Sequence, residues 1–340
     1  MAEQYPLASV VMPLYNCLPY VSDCLQSLLS QSYENIEVII VDDGSDDGSF
    51  EYVRSIAQSD SRVMLFRKEH ENAGVARNFG LAHVEGKYVY FLDSDDYFHE
   101  DLVLKTVERF EETEADACVF DACTFSESID DSDGKPKYLR KIPFEDGVYS
   151  SRTYSENFFQ VTNPAPWTKA FRTDFVRNAG LRFQSLENAN DFYFDYSALV
   201  KAGSIATVYT PLSWYRMRQG STQNMCKVQP EAFLIALLSL KRLIILEGLQ
   251  DVLDASFTKL GATICTYNLR QAIKNNDNSA IEMICKRLKN GDLFKLGLLR
   301  FVRDYGVKAP NGYHKRQADI LTNLYRGEYA DFSDLEKALG

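Results

Sequence analysis

Residues 36–49 read IEVIIVDDGSDDGS, an almost continuous apolar run that ends in paired aspartates. A strand that is apolar on both faces is typical of a parallel sheet covered by helices on each side. Similar short runs occur at 8–12, 62–66, 88–92 and 117–120, and they alternate with segments of helical spacing. The alternation predicts an α/β fold with a Rossmann-like, mostly parallel sheet flanked by helices.

Polar loops follow three of these strands. Ligands of such sheets bind beyond the carboxyl ends of the strands, so we expect MPLYN (12–16), DDGSDDGS (42–49) and DSDD (93–96) to line one mouth. Asp42 and Asp43 stand directly at a strand end, where carboxylates can accept hydrogen bonds from a ribose hydroxyl or a base N–H. The residues that follow them are typical of a helix start.

The loop DSDD carries three carboxylates in four positions. Like charges this close raise one another's pKa, so either a cation or solvent must offset the repulsion. Residues two apart in an extended segment point the same way, so Asp93 and Asp95 could share a Mg²⁺ or Mn²⁺ ion. A solvated acidic turn, with Asp96 capping the next helix, is the other interpretation.

No Gly-rich phosphate loop of the dinucleotide or P-loop type occurs in the sequence. A bound nucleotide diphosphate would therefore depend on a metal ion and a nearby cation. Arg77 in ENAGVARNFG lies just inside a predicted helix start, where backbone N–H groups also favour anions. A surface ion pair is the alternative role for Arg77. The four histidines show no ligand spacing and are expected to be structural or solvent-facing.

Charge and cysteine content restrict the classes of function. Residues 1–220 carry 20 Lys and Arg against 35 Asp and Glu, and residues 221–340 carry 17 against 13. The acidic first part argues against a nucleic-acid partner. Seven cysteines without a CxxC pair indicate reduced thiols, and neither a signal peptide nor a membrane-spanning run is apparent, so a cytoplasmic location is expected. The chain is predicted to divide into a domain of 1–220 and a helical domain of 221–340.

Residues 7–100 closely resemble family 2 glycosyltransferases of the GT-A fold. The likeness lies in SVVMPLYN, in IEVIIVDDGSDDGS and in ENAGVARNFGLAHVEGKYVYFLDSDDYF, in the expected order and spacing. A weaker likeness continues through NPAPWTKAFRTDFV, LENANDFYFDYSALVKAG and PLSWYRMRQGST, as in bacterial members that decorate surface glycans. It gives no functional residue beyond about residue 225.

The resemblance implies an inverting transfer of a sugar from a nucleotide donor, most often a UDP-sugar, to a hydroxyl of a glycan, glycolipid or glycoprotein. It also implies Mn²⁺ or Mg²⁺ as cofactor. Neither the membrane spans nor the Gln-x-x-Arg-Trp segment of processive synthases occurs, so we expect a single-sugar transfer. The binding residues implied by motif position are Pro13, Tyr15, Asp42 and Asp43 for the nucleoside, Arg77 for the diphosphate, Ser94 for the donor, and Asp93 and Asp95 for the metal.

Asp191 is the expected catalytic base. In similar proteins this residue is the Asp of a Glu-Asp pair that opens a helix, whereas the pair here reads Asn190-Asp191. An ordinary acid at a helix N-terminus remains the alternative for Asp191. Asp195 lies one helical turn further on and could pair with a basic group.

The weaker likeness offers roles for four further residues. Trp167 and Lys169 could shape the acceptor side, although a buried Trp is more often simply core. Arg216 and Arg218 could close over the diphosphate as a lid.

The C-terminal third permits more than one role. Residues 233–246 are apolar on several faces, which indicates a bundle or a subunit interface, and homo-oligomerisation through these helices is one expectation. Residues 285–304 mix Lys and Arg with Leu and Phe; they form either a bundle with a basic face or a contact with the inner face of the plasma membrane.

Two other classes of protein compete with the transferase. A sugar-nucleotide nucleotidyltransferase would need a Gly-rich basic loop, which MPLYN is not. A catalytically inactive relative that binds a glycan or a partner protein is the alternative from outside the enzymes.

Overall fold

The computed structural model describes residues 6–126, 128–186, 188–217, 230–306, 312–326 and 338. The chain forms two compact units, one of residues 1–153 with 161–219 and the other of residues 154–160 with 220–340. The roles assigned to domains 1–220 and 221–340 stay predictions.

The first unit is built on one mixed sheet. Its strands are β1 Ala8–Leu14, β2 Ile36–Asp42, β3 Val63–Arg67, β4 Tyr88–Phe91, β5 Tyr97–Phe98, β6 Ala117–Phe125, β7 Val148–Tyr149, β8 Lys169–Arg172 and β9 Ile205–Arg216. They lie in the order β3-β2-β1-β4-β8-β6-β9-β5, and β7 pairs with β9. The pairs β1–β2, β1–β4, β2–β3 and β6–β9 are parallel, which confirms the predicted mostly parallel, GT-A-like sheet.

Six helices accompany the described strands: α1 Leu18–Leu29, α2 Ser49–Ala57, α3 Ala73–Leu81, α4 Leu102–Thr113, α5 Thr173–Asn178 and α6 Asn190–Lys201. All seven residues of β2 are buried. Its nearly continuous apolar sequence therefore agrees with a strand that is covered on both faces. Helix α3 packs very closely on the sheet at Gly80, where a Cβ would lie 2.5 Å from Cγ1 of Val11. This contact sets how closely the last turn of α3 lies against β1.

Strand β8 differs from what the sequence pattern suggests. It runs antiparallel to both β4 and β6, and it separates them in the sheet. Its first residue is Lys169, whose side chain is fully buried. A charged residue interrupts the apolar pattern that marks buried strands, so the segment 163–171 gave no clear strand signal.

The second unit is helical. Its helices are α7 Pro230–Leu246, α8 Gln250–Lys274, α9 Asn278–Arg287, α10 Leu293–Lys295, α11 Leu298–Gly306 and α12 Tyr313–Arg326. The Ser256 hydroxyl of α8 accepts from the Phe159 N–H and bonds the Gln160 side chain, which ties 158–160 to this unit. In the part of the chain with described structure, no helix is long and apolar enough to cross a bilayer.

Residues 285–304 form part of the core of the second unit. Most of their apolar side chains are buried, including Leu288, Leu293, Leu296, Leu298 and Phe301. Phe294 differs, because 76% of its surface is exposed.

Candidate active site

The first two strand-end loops are bonded to each other. Asn16 adopts a left-handed backbone with a φ of 47°. Its N–H donates to the Ser45 hydroxyl at 3.0 Å, and its side-chain oxygen accepts from the Asp46 N–H at 3.0 Å. The loops after β1 and β2 therefore form one wall, as expected for loops at the same edge of a parallel sheet.

Asp42 and Asp43 are buried and already hold protein donors. The Asp42 carboxylate lies 3.3 Å from Nε of Arg67. The Asp43 carboxylate accepts from Lys68 Nζ at 2.7 Å and lies 2.9 Å from Nδ1 of His70. These bonds fix the segment after β3 against the end of β2. A nucleoside contact of either carboxylate stays a prediction.

Tyr15 and His70 form an aromatic surface beside Asp43. Their rings stack with centroids 4.1 Å apart at an interplanar angle of 17°, and Tyr15 is 46% exposed. Pro13, half-buried in β1, pairs in register with Val41 of β2. Sequence reasoning did not place His70 at this site. Its position three residues after β3 was the only available signal, since residues beyond strand ends collect at this edge.

Arg77 joins three segments that are distant in the sequence. Its Nη2 donates to Asp93 Oδ1 at 2.5 Å, and its Nη1 donates to Asn190 Oδ1 at 3.1 Å. The side chain is only 6% exposed and lies 5.3 Å from the centre of the Phe183 ring. Burial opposes its charge, but Asp93 and Asp191 outweigh that effect and raise the pKa of Arg77. The cation therefore connects the DSDD loop to the start of α6.

The three aspartates of the DSDD loop have different surroundings. The Asp93 side chain is 27% exposed and pairs with Arg77, Ser94 is buried, and Asp95 is half-buried. Asp96 is fully buried, and its Oδ1 accepts from the backbone N–H of Arg216 at 2.9 Å. Burial, with the charges of Asp95 and Asp93, raises the pKa of Asp96 well above its ordinary value. The suggestion that Asp96 caps the next helix is wrong, because α4 begins six residues later and is preceded by Asp101.

The carboxylates of Asp93 and Asp95 suit a hard divalent ion. Among the described residues, no three His, Cys, Asp or Glu side chains are grouped as metal ligands. Mg²⁺ and its close analogues commonly bind through one or two carboxylates and complete their shell with water and substrate phosphates. Two partly exposed carboxylates therefore fit such an ion, and they do not resemble an all-protein metal cage.

Arg216 holds the DSDD loop through a hydrogen bond to its backbone. Its Nε donates to the backbone oxygen of Asp95 at 2.9 Å, and its Nη2 lies 3.2 Å from Asp23 Oδ2. The guanidinium also lies over the Phe125 ring at 4.5 Å. Arg216 is thus a buried anchor in this structure, which corrects its predicted role in a lid; Arg218 lies outside the described residues.

The candidate base opens helix α6. Ala189 precedes it with a left-handed φ of 55°, and Asn190 and Asp191 form the first turn. Asp191 is half-buried. Burial raises its pKa, Arg77 opposes that shift, and Asp93 adds to it, with a net rise. A raised pKa suits a carboxylate that has to accept a proton near neutral pH.

Trp167 and Lys169 lie inside the first unit. Trp167 is 6% exposed and stacks on Tyr215 with centroids 5.3 Å apart. Lys169 is fully buried and pairs with Asp195 at 3.1 Å. The paired role considered for Asp195 is therefore present, while an acceptor contact of Trp167 stays a prediction.

Known proteins resemble this chain in sequence and in fold. The "Glycosyltransferase GlyA" of Streptococcus pneumoniae is 28% identical over 224 residues, covering 64% of this chain and 31% of GlyA. The "Putative teichuronic acid biosynthesis glycosyltransferase TuaG" of Bacillus subtilis is 36% identical over 140 residues, covering 41% of this chain and 54% of TuaG. The chain thus aligns with about a third to a half of these relatives.

The solved structure of S. aureus TarS 1–349 in complex with UDP-GlcNAc superposes with a TM-score of 0.72 at 18% identity, covering 97% of this chain and 90% of that one. This likeness confirms the GT-A fold. The family model of glycosyl transferase family 2 matches residues 9–187, more than half of the sequence. By that match, the chain belongs to glycosyl transferase family 2.

Proposed function

We propose that this chain is an inverting, metal-dependent and non-processive glycosyltransferase. It would move a sugar from a UDP-sugar to a hydroxyl of a glycan, glycolipid or glycoprotein in surface glycan biosynthesis. The observation that carries the proposal is the position of Arg77, whose two terminal nitrogens hold Asp93 of the DSDD loop and Asn190 beside Asp191. In this proposal, Arg77 would lie between the metal ligand Asp93 and the base Asp191.

The similar proteins support the choice of donor and pathway. TarS has been solved with UDP-GlcNAc, and TuaG is named for teichuronic acid biosynthesis. In this chain, the exposed face of Tyr15, backed by His70, offers a stacking surface for a base beside Pro13 and Asp43. A uridine would lie there and direct its diphosphate toward Arg77 and Ser94.

The proposed reaction is an in-line displacement at the anomeric carbon. The acceptor oxygen forms a bond to that carbon while the bond to the diphosphate oxygen breaks, which inverts the configuration. Asp191 takes the acceptor proton, and Arg77 keeps Asp93 in place and adds positive charge beside the diphosphate. A divalent ion bound by Asp93 and Asp95 would supply neutralisation of the departing diphosphate.

Donor hydrolysis tests this function without knowledge of the acceptor. UDP-, GDP- and dTDP-sugars are incubated with the full chain, with Mn²⁺, Mg²⁺ or EDTA, and nucleotide release is measured. Wild type is compared with Asp95→Asn, Asp191→Asn and a matched control, Glu51→Gln, at an exposed acid of α2. We expect metal-dependent UDP release that falls at least about 100-fold in both active-site variants and is unchanged in the control.

The opposite outcome favours the inactive relative. Absence of release from every donor, together with no thermal shift on adding UDP and Mn²⁺, would leave a protein that binds a glycan or a partner. For an active enzyme, the anomeric configuration of the first product, read by NMR, distinguishes inversion from retention.

The second unit carries proposals of its own. A peripheral contact with anionic lipid would use the exposed Phe294 beside Lys295, whose side chain is 63% exposed. Co-sedimentation with phosphatidylglycerol vesicles, compared between wild type and Phe294→Ser, tests that contact. Sedimentation velocity of the full chain tests self-association.

A further inference from the structure

Two opposite charges lie fully buried behind the candidate base. Lys169 begins β8, Asp195 lies in the second turn of α6, and Nζ of the lysine is 3.1 Å from Oδ2 of the aspartate. Both side chains are 0% exposed. Asp195 follows Asp191 by four residues, so the two carboxylates lie on one face of the helix.

Lys169 has more hydrogen-bond partners than Asp195. Its Nζ also donates to the carbonyl oxygens of Asn163 at 2.8 Å and Ala165 at 2.9 Å, and lies 3.2 Å from the Thr168 hydroxyl. Within the described residues, Oδ1 of Asp195 has no hydrogen-bond partner. Burial lowers the pKa of Lys169 and Asp195 opposes that shift. The lysine nitrogen is thus held by several acceptors, while the charge of Asp195 is only partly compensated.

Stability alone does not account for such a pair. Replacing a buried ion pair with apolar side chains of similar volume is often neutral or stabilising, because removing two charges from water costs more than their attraction returns. The pair is also close enough to Asp191 to act on it. At about 6 Å and an effective dielectric constant of about 20, a unit charge shifts a neighbouring ionisation by up to about two pH units.

We propose that the buried Lys169–Asp195 pair positions Asp191 and strengthens it as a base through the negative charge of Asp195 one helical turn away. The inference rests on the proposed function, in which Asp191 takes the acceptor proton. Lys169 and Asp195 are positioning residues in this scheme, since neither contacts the substrate.

The titration of Asp195 makes the inference testable. The groups that face it are Lys169 from β8, Asp191 from its own helix and Arg77 from α3. Burial raises the pKa of Asp195 to about 7, Lys169 opposes the shift, and Asp191 adds to it. Asp195 therefore gains its charge as the pH rises through neutrality, and Asp191 becomes a stronger base over the same interval.

The experiment is the pH profile of kcat for UDP release between pH 5 and 9, in wild type, Asp195→Asn and Ser197→Ala. Asn has the shape of protonated Asp, so we expect Asp195→Asn to match wild type near pH 5.5 and to fall about tenfold behind it above pH 8. The donor KM should not change. Ser197→Ala, which removes another buried polar group of α6, should give the same ratio to wild type at every pH.

A ratio of wild type to Asp195→Asn that is constant across pH would overturn the inference, because a purely structural defect has no reason to follow the ionisation of Asp195. Should Asp195→Asn fail to fold, the double variant Lys169→Met with Asp195→Leu carries the same test. It removes both charges, and the rise in kcat through neutral pH should again be lost.

A parallel Asp191→Asn variant separates this inference from the proposed function. If Asp191→Asn keeps its turnover, Asp191 is not the base and the proposed mechanism fails. If Asp191→Asn loses turnover while Asp195→Asn follows wild type at every pH, only the role of the buried pair is refuted.

Discussion

Gly74 sets the distance between α3 and the segment that leads into α6. A Cβ at this position would lie 2.6 Å from the carbonyl oxygen of Gln184 and 3.0 Å from Cβ of Asn190. Ordinary van der Waals contact begins at 3.4 Å, so Gly74→Ala has to move one of the two segments by about 0.8 Å. The obstacle is backbone, which cannot rotate away as a side chain can.

This displacement acts directly on the candidate site. It separates Arg77 from Asn190, which are joined at 3.1 Å, and it moves the adjacent Asp191. Misplacing reacting groups by about 1 Å can lower a rate by about 100-fold, so we expect kcat/KM to fall by about 10- to 100-fold. Overpacking costs about 1–3 kcal/mol and alanine in a helix returns about 1 kcal/mol, so the net loss of stability should be at most about 2 kcal/mol.

Gly80→Ala is the matched control. It introduces the same methyl group in the same helix, but that group meets Cγ1 of Val11 in β1 at 2.5 Å instead of the α6 segment. We expect it to lower the melting temperature at least as much as Gly74→Ala while kcat/KM stays within about threefold of wild type. Both variants are assayed by UDP release well below their melting temperatures. Wild-type kcat/KM in Gly74→Ala, or an equal loss in both variants, would refute the reasoning.

Three further changes test the surroundings of the site. Asp96→Asn keeps an acceptor for the Arg216 N–H and should hold UDP release within about threefold, whereas Asp96→Ala leaves that N–H unpaired and should cost about 1–3 kcal/mol in thermal unfolding. Arg77→Lys keeps the charge but loses the two-pronged contact, so the donor KM should rise about tenfold at constant fold, as measured by UDP-release kinetics and circular dichroism. The folded-state pKa of Asp195, about 7, exceeds its unfolded value of about 3.9; its contribution to stability is therefore fully present below pH 4 and lost as the pH rises through 7. Wild type should accordingly lose up to about 4 kcal/mol of stability between pH 4 and 8, and Asp195→Asn should not show this loss, as measured by the melting temperature at each pH.

The sequence alone was sufficient to predict the parallel half of the sheet. Strand β2 is apolar at nearly every position, which only a doubly covered strand tolerates, and the loops after β1 and β2 follow from the rule that ligands bind at the carboxyl ends of strands. Those inferences use local pattern and one topological rule. They needed no knowledge of which side chains meet.

The contacts within the site could not be predicted in the same way. Arg216 meets Asp96 across 120 positions of sequence, and no local periodicity reports such a pair. Asp43 looked available for a nucleoside because its partners, Lys68 and His70, belong to a different strand end. Strand β8 could not be predicted from the apolar pattern because it begins with the charged Lys169. Folding brings Asp195 to this lysine, and the sequence pattern does not report that pair. In each case the deciding interaction is tertiary.

The acidic triplet shows how folding distinguishes residues that look equivalent in sequence. Asp96 is buried, where its charge is disfavoured, and it serves as an acceptor for the backbone of β9. Asp93 is partly neutralised by Arg77, and the backbone of Asp95 is held by Arg216. The repulsion among the three carboxylates is therefore reduced before any ion binds. Under the proposed function, an ion bound by Asp93 and Asp95 would meet a loop already held by Arg77 and Arg216, so that binding would require little rearrangement of the loop.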